Sequence, residues 1–329
     1  MNRFSLSRRG MVAGGLAGIS LADPLSRALA QVEAPAGAAV IPGASIAPED
    51  ESAEVDLATG EDRIRRLTAP VLINGQGPFD FMVDTGSNRS VISTSLAARL
   101  NLPRGRSLRV FTTAGSTEAA SVVAQTLQVG DRVMRRAQVP VLSPAGLRGD
   151  GILGVDWLKG ERLILDLLNE RLEIRKPGRA PMSAGATVVP ARLRSGQLTI
   201  IDADLNGRGR ISCLIDSGSE ISMGNRHLRE LAHRDNPSFE KDLQPITMVD
   251  AANRSFEALY GFLPFVRIGG VQFGNLPVAF AETPLLQLWN LDRVPALMLG
   301  MDIIRQFARV EMDFSQARVG FTVLEPNRA

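Results

Sequence analysis

Two aspartates occupy equivalent points of a repeated pattern. Phe81-Met82-Val83-Asp84-Thr85-Gly86-Ser87 is answered by Cys213-Leu214-Ile215-Asp216-Ser217-Gly218-Ser219. Each copy is an apolar run that ends in Asp, a small hydroxyl residue, Gly and Ser. Two carboxyl groups delivered from equivalent places suit one kind of chemistry. Held about 3 Å apart they cannot both ionise, so one pKa rises and the other falls. One group can then act as base toward water while the other donates a proton, which is what amide hydrolysis without a covalent intermediate requires. The two pKa values belong to the pair, and the residues alone do not say which aspartate is the base.

The neighbours have physical roles in this scheme. Apolar Met82, Val83, Leu214 and Ile215 predict buried, rigid strands behind the carboxyls. Gly86 and Gly218 permit a tight turn that lets backbone N–H groups approach them. The Thr85 and Ser217 hydroxyls can bond across to the opposite copy. Those of Ser87 and Ser219 can donate to the outer carboxylate oxygens.

The elements that must position these groups are duplicated too. Ten residues before each aspartate stands Asn-Gly, Asn74-Gly75 and Asn206-Gly207, a hairpin signal because both residue types tolerate positive φ. After each motif the pattern predicts a short helix, Ser95 to Leu100 and Asn225 to Ala232. A second hairpin follows, around Ala114-Gly115 and around Ala251-Ala252-Asn253. Both halves then reach Ile152-Leu153-Gly154-Val155-Asp156 and Met298-Leu299-Gly300-Met301-Asp302, and each ends in an alternating strand, Leu163 to Asp166 and Val310 to Asp313. From aspartate to apolar-Gly there are 70 residues in the first half and 84 in the second, so a loop insertion is expected near 235–243 or 284–294. A repeat this long means two domain-sized copies rather than a solenoid. Short Val-, Ile- and Leu-rich runs between Gly, Pro and Asn predict all-β lobes at 67–177 and 186–323, joined near Lys176 to Ala186.

With these motifs the chain resembles the retropepsin-like aspartic peptidases, two copies fused in one polypeptide, over about 68–176 and 186–323. The resemblance implies two β-barrel lobes related by a pseudo-two-fold axis with the active site between them. It implies an Asp84–Asp216 dyad, interlocking loops at Thr85-Gly86 and Ser217-Gly218, and supporting Ser87 and Ser219. Ile152-Leu153-Gly154 and Met298-Leu299-Gly300 would pack beneath those loops, and hairpins near 110–122 and 246–259 would be flaps over a peptide or protein substrate. It further implies an aspartic endopeptidase without cofactor or metal, monomeric because both aspartates lie in one chain. A peptide-binding module of the same fold without activity is the alternative. Ser217 departs from the usual Thr but keeps the hydroxyl. Neither flap tip carries the Tyr of pepsin-like relatives; the single tyrosine, Tyr260, follows the second flap.

Composition excludes several classes. The 329 residues carry a formal net charge of +2, but Arg3, Arg8, Arg9 and Arg27 against Asp23 leave the chain beyond residue 30 at −1. The basic excess belongs to the leader, and no basic stripe suggests nucleic-acid binding. Ser7-Arg8-Arg9-Gly10-Met11-Val12 resembles a twin-arginine export signal. Ala28-Leu29-Ala30 would be the cleavage site, giving a periplasmic or secreted protein starting at Gln31 without a membrane anchor. Residues 31–66 read as a disordered linker or pro-segment. Lone Cys213 is expected as a core hydrophobe. Asp156, Asp302, Asp166 and Asp313 are expected as caps or local acceptors at element ends, His227 and His233 as exposed helix residues, and Trp157 and Trp289 as packing anchors. No Gly-x-Ser-x-Gly elbow, phosphate loop or His-Glu-x-x-His motif is present.

Overall fold

Both Asn-Gly pairs close hairpins as their residue types dictate. Asn74 and Gly75 (φ 51° and 75°) join strands Thr68–Ile73 and Gln76–Val83, and Asn206 and Gly207 (φ 52° and 71°) join Ala203–Leu205 and Gly209–Arg210. A computed structural model describes residues 6–8, 39–41, 44–46 and 67–323, the last without 148, 170, 177–180 and 195. The rest of the export leader and of the 31–66 segment lies outside the described residues.

The first lobe is a closed barrel of six strands, in the order 132–142, 91–93, 151–153, 76–83, 68–73 and 121–129. In the second lobe, strand Ser212–Ile215 runs parallel to Ala296–Leu299, as Phe81–Val83 runs parallel to Gly151–Leu153 in the first. These parallel pairs carry the two aspartates at their ends. Ser93 caps helix Thr94–Arg99 through a bond from Leu96 N, and Asn225 caps Arg226–Asp235 through a bond from Leu228 N. The extra length of the second half falls partly at the two expected places and partly in a longer second hairpin, Gln244–Asp250 with its return strand from Ser255, against Leu108–Thr112 with its return from Gly115. The helix of the second half has 10 residues against 6 and is followed by a 3-10 turn, Phe239–Asp242, and the stretch between helix Pro284–Leu288 and strand Ala296–Leu299 is longer than that between the matching helix Pro144–Leu147 and strand Gly151–Leu153.

The lobes are joined by a shared antiparallel sheet in the order 171–175, 162–166, 307–313, 318–323 and 187–194. Its central pairing sets Arg162 opposite Asp313 and Asp166 opposite Arg309. Here the sequence reading needs correcting. Asp166 and Asp313 are not merely local acceptors at strand ends, because each also pairs with an arginine of the other lobe. Arg309 Nη2 lies 2.7 Å from Asp166, and Arg162 Nη2 lies 2.9 Å from Asp313. The local pattern could not disclose this, since each partner is more than 140 residues away. Burial alone pushes the Asp313 carboxyl up, but the Ser315 hydroxyl, Arg162 and the Gln316 amide outweigh it and hold it below the usual carboxylate range.

Two hairpins extend over the junction, Leu108–Thr112 with Gly115–Ala119 and Gln244–Asp250 with the start of Ser255–Ile268. Each packs on the opposite lobe. Phe111 of the first joins Leu285, Trp289 and Met298. Ala251 of the second joins Met82, Val110 and Leu147. Within 31–66, Ala39–Ile41 pairs with the first hairpin and Ala44–Ile46 with the second, a departure from the disordered reading. Leu6–Arg8 of the leader lies beside Val271–Phe273.

Replacing Arg162 by Met keeps the bulk and strips Asp313 of its cross-lobe cation. Removing one partner of a buried ion pair destabilises strongly, and Asp313 retains its Ser315 and Gln316 bonds, so a loss near the low end, about 3 kcal/mol, is expected. Chemical denaturation should show a lower midpoint at unchanged slope.

Candidate active site

The two motif loops meet at the lobe junction and grip one another. Thr85 Oγ1 donates to Ile215 O at 2.8 Å, and Ser217 Oγ donates to Val83 O at 2.8 Å. Each hydroxyl also accepts the other's amide, Thr85 N to Ser217 Oγ and Ser217 N to Thr85 Oγ1, both at 3.1 Å. Four bonds therefore close a reciprocal lock between strand ends 130 or more residues apart in sequence. Serine and threonine serve it equally, because only the hydroxyl takes part.

The lock brings Asp84 and Asp216 together, both 0% exposed. Asp84 Oδ1 accepts from Gly86 N at 2.8 Å and Ser87 N at 2.9 Å. Asp216 Oδ1 accepts from Gly218 N at 3.0 Å and from the Ser219 amide. None of these amide bonds reaches the buried Oδ2 of either carboxyl. The side chains of the two aspartates lie close enough to act on one another. Burial, and then the Asp84 charge beside it, push the Asp216 carboxyl well above the usual carboxylate range. The pair can hold one proton and one negative charge.

Gly218 is required for a reason beyond its own turn. A Cβ there would lie 2.2 Å from Asp84 Cγ, so the second loop can approach the first carboxyl only without a side chain. Ser87 and Ser219 correct an expectation. Their amides orient the carboxyls, but their hydroxyls donate to Arg89 O at 2.7 Å and Ile221 O at 2.8 Å. A carbonyl two residues on is the nearer acceptor, so the hydroxyls brace the loops instead.

Beneath the loops the apolar-Gly segments form a matching support. Asp84 N donates to Leu153 O at 3.0 Å and Asp216 N to Leu299 O at 2.9 Å. Val155 N reaches Ser87 O, and Met301 N reaches Ser219 O, both at 2.8 Å. Gly154 and Gly300 are each pressed against backbone, where a Cβ would meet Arg89 C or Ile221 C at 2.6 Å. Sequence reasoning missed a further pair. Ser90 and Ser222, each six residues after its aspartate, bond Asp156 and Asp302 through hydroxyl (2.8 and 2.7 Å) and amide. Asp156 and Asp302 are thus acceptors, as expected, but their partners lie far away in the chain. The matched positions in the two copies were the signal that could have found them. Buried Gln197, whose Nε2 donates to Gly86 O at 2.9 Å, had no counterpart to betray it.

The remaining candidates lie apart from this site. Cys213 is fully buried and its thiol is pushed up by that burial. Trp157 and Trp289 are buried, His227 is half-buried beside Glu230, and His233 is exposed. Tyr260 sits in the return strand of the second flap, edge-on to Phe262.

The flaps are latched together above the site. Thr112 Oγ1 donates to Asp250 Oδ2 at 2.5 Å, and Arg254, whose Nη2 lies 3.0 Å from the same carboxylate, also reaches Thr112. Asp250 Oδ1 accepts from Ala252 N and Arg254 N, which shapes the second tip.

Comparison with known proteins gives two family matches in tandem. Residues 69–160 match a family described as "gag-polyprotein putative aspartyl protease", and residues 201–303 match one described as "Aspartyl protease". No curated protein sequence matches the chain. Among solved structures it is similar to an aspartic proteinase from Irpex lacteus, at 12% identity and TM-score 0.42, covering 80% of this chain and 95% of that one. It is also similar to basic 7S globulin from soybean, at 10% identity and TM-score 0.39, covering 78% and 90%. Likenesses this distant decide nothing further; the family rests on the two tandem sequence matches.

Two outcomes test this geometry. Thr85→Val strips Ile215 O and Ser217 N of their partner and should cost about 3 kcal/mol by denaturation, whereas Thr85→Ser should stay within about 1 kcal/mol. The second concerns Asp302, which burial raises to about 6 from an ordinary 3.8. The folded state therefore binds this proton at higher pH than the unfolded chain, so stability falls as pH climbs from about 4 to about 6. Asp302→Asn should lower stability by about 2 kcal/mol at pH 7 by facing an amide N–H with another donor, and should remove that part of the pH slope. Melts across pH 4 to 7 measure both.

Proposed function

We infer, for a chain that belongs to the retropepsin-like aspartyl proteases and carries two copies of their domain in tandem, that the protein is an aspartic endopeptidase. One observation carries the reading. Asp84 and Asp216 face one another across the lobe boundary in a fully buried site, each oriented by two amides of its own loop. No other buried carboxyl pair among the described residues joins equivalent positions of the two copies in this way.

We place the shared proton on Asp216, whose carboxyl is pushed up by burial and by the Asp84 charge beside it, and take Asp84 as the base. Asp84 takes a proton from a water molecule as the oxygen adds to the scissile carbonyl carbon. Asp216 gives its proton to the carbonyl oxygen, leaving a tetrahedral diol. Asp84 then passes its proton to the amide nitrogen as the C–N bond breaks, and Asp216 recovers a proton from the diol. The latched flaps keep solvent from the diol while it forms and collapses. We also propose export through the twin-arginine leader. Among the described residues no helix is long and apolar enough to cross a membrane. Fractionation of cells carrying Arg8→Lys with Arg9→Lys should leave the protein unprocessed in the cytoplasm.

The decisive measurement is cleavage of a mixed peptide library between pH 3 and 8. Asp84→Asn and Asp216→Asn should each lower kcat by at least ~10³. Wild-type kcat/KM should decline as pH rises through the raised Asp216 pKa, because the acid is then lost. Peptides retained but uncut by the wild type at every pH would replace the peptidase with a binding module.

A further inference from the structure

Gln197 belongs to the second lobe and serves the first aspartate's loop. It opens strand Gln197–Ile200, which pairs with Ser212–Ile215, and the register that sets Thr199 opposite Leu214 brings it level with Asp216. Gln197 is buried, and its Nε2 crosses the lobe boundary to donate to Gly86 O at 2.9 Å. A buried carbonyl needs a donor, and a bracing role would end there. The identity of the peptide group adds more. Gly86 O belongs to the same peptide unit as Ser87 N, which donates to Asp84 Oδ1 at 2.9 Å.

A trans peptide points its C=O and N–H in opposite directions. Gln197 therefore stands behind the carbonyl, and Asp84 in front of the amide, of one polarisable unit. A donor on the carbonyl draws charge from the nitrogen and strengthens the N–H as a donor, most of all where water is excluded. The ionised Asp84 carboxylate gains from this more than its neutral acid does. The second loop lacks the relay. Asp216 Oδ1 also accepts from the Gly218 and Ser219 amides, but among the described residues no side chain donates to Gly218 O. The ionisable group that faces Asp84 is Asp216. Asp156 and Asp302 are held below the loops by Ser90 and Ser222, and Arg89 acts on Asp156.

We propose that Gln197 is a positioning residue: through the Gly86–Ser87 peptide it favours the negative charge on Asp84 and so leaves the shared proton to Asp216. The proposal rests on reading Asp84 and Asp216 as a dyad, and not on the cleavage step. Its sign is specific. Asp84 is charged both in the singly protonated pair and in the fully ionised pair. Gln197 therefore acts on the first proton lost and leaves the second nearly unmoved. Strengthening a bond to a charged acceptor by about a tenth to a third is worth a few tenths of a pH unit. A brace that merely kept water from the loops would move both steps together.

The test is an NMR titration of the full chain with carbon-13-labelled aspartate carboxyls, assigned with Asp84→Asn and Asp216→Asn. Gln197→Met keeps the bulk and removes the donor. Its lower dyad step should rise by at least about 0.3 of a pH unit while the upper step stays within about 0.1. Gln197→Glu, whose buried carboxyl is neutral in acid and donates an O–H, should return the lower step toward the parent value. In the unaltered protein the Ser87 amide proton should resonate downfield of the Ser219 amide proton, which tests the relay even if both variants fail to fold. A lower step unmoved by Gln197→Met, both steps moved equally, or the reverse order of the two amide protons would overturn the proposal. None of these readouts needs turnover. A protein that shows them but never cuts loses the peptidase reading and keeps this one, and a protein that cuts peptides without them does the reverse.

Discussion

Two carboxyl groups buried against one another repel as soon as both ionise, and this constraint organises the rest of the structure. Water cannot relieve it, since Asp84 and Asp216 are fully buried. Relief comes from amides aimed at one oxygen of each group and, in the proposed mechanism, from a shared proton. Such an arrangement survives only if the backbone on both sides is rigid. The Thr85–Ser217 lock, the parallel strand behind each aspartate and the Gly154 and Gly300 close approaches supply that rigidity in duplicate. The shared sheet with its two Arg–Asp pairs keeps the lobes from sliding, so the lock is not asked to hold the junction alone.

Duplication makes the support nearly symmetric, and the chemistry needs asymmetry. Most of the scaffold contacts have counterparts within a few tenths of an ångström. What differs lies around them: a longer helix with a 3-10 turn after it in the second lobe, and Gln197 reaching only the first loop. The latch is one-sided too, since Asp250 and Arg254 belong to the second flap and Thr112 to the first. The proposed roles of Asp84 as base and Asp216 as acid fit a dyad that is matched in geometry and unequal in surroundings.

Features governed by neighbours in sequence were legible before any coordinates. The Asn-Gly hairpins, the capped helices after each motif and the strand before each aspartate follow from backbone preference and local pattern. The copies then reinforced each other, since a weak signal at Gly154 gains weight when Gly300 repeats it. Features set by competition between distant partners were not legible. The Ser87 and Ser219 hydroxyls could serve either a carboxylate or a nearby carbonyl, and loop geometry chose the carbonyl. Asp166 and Asp313 carried no local sign of arginine partners in the other lobe. Residues 39–46, with low complexity and no strong periodicity, offered nothing to distinguish a linker from a strand.

By itself the sequence determined that there are two copies of one β-rich unit and that each delivers an aspartate on a buried, glycine-turned loop. Residue type and spacing suffice there, because hairpin conformation, capping and strand burial depend on chemistry within a few residues. Only the tertiary structure decided that the loops grip each other, that burial raises the Asp216 carboxyl, that the flaps latch and that 39–41 and 44–46 each pair with one flap. Those outcomes depend on which groups are brought together across the junction and on how much water is left between them. Neither quantity exists until the chain has folded.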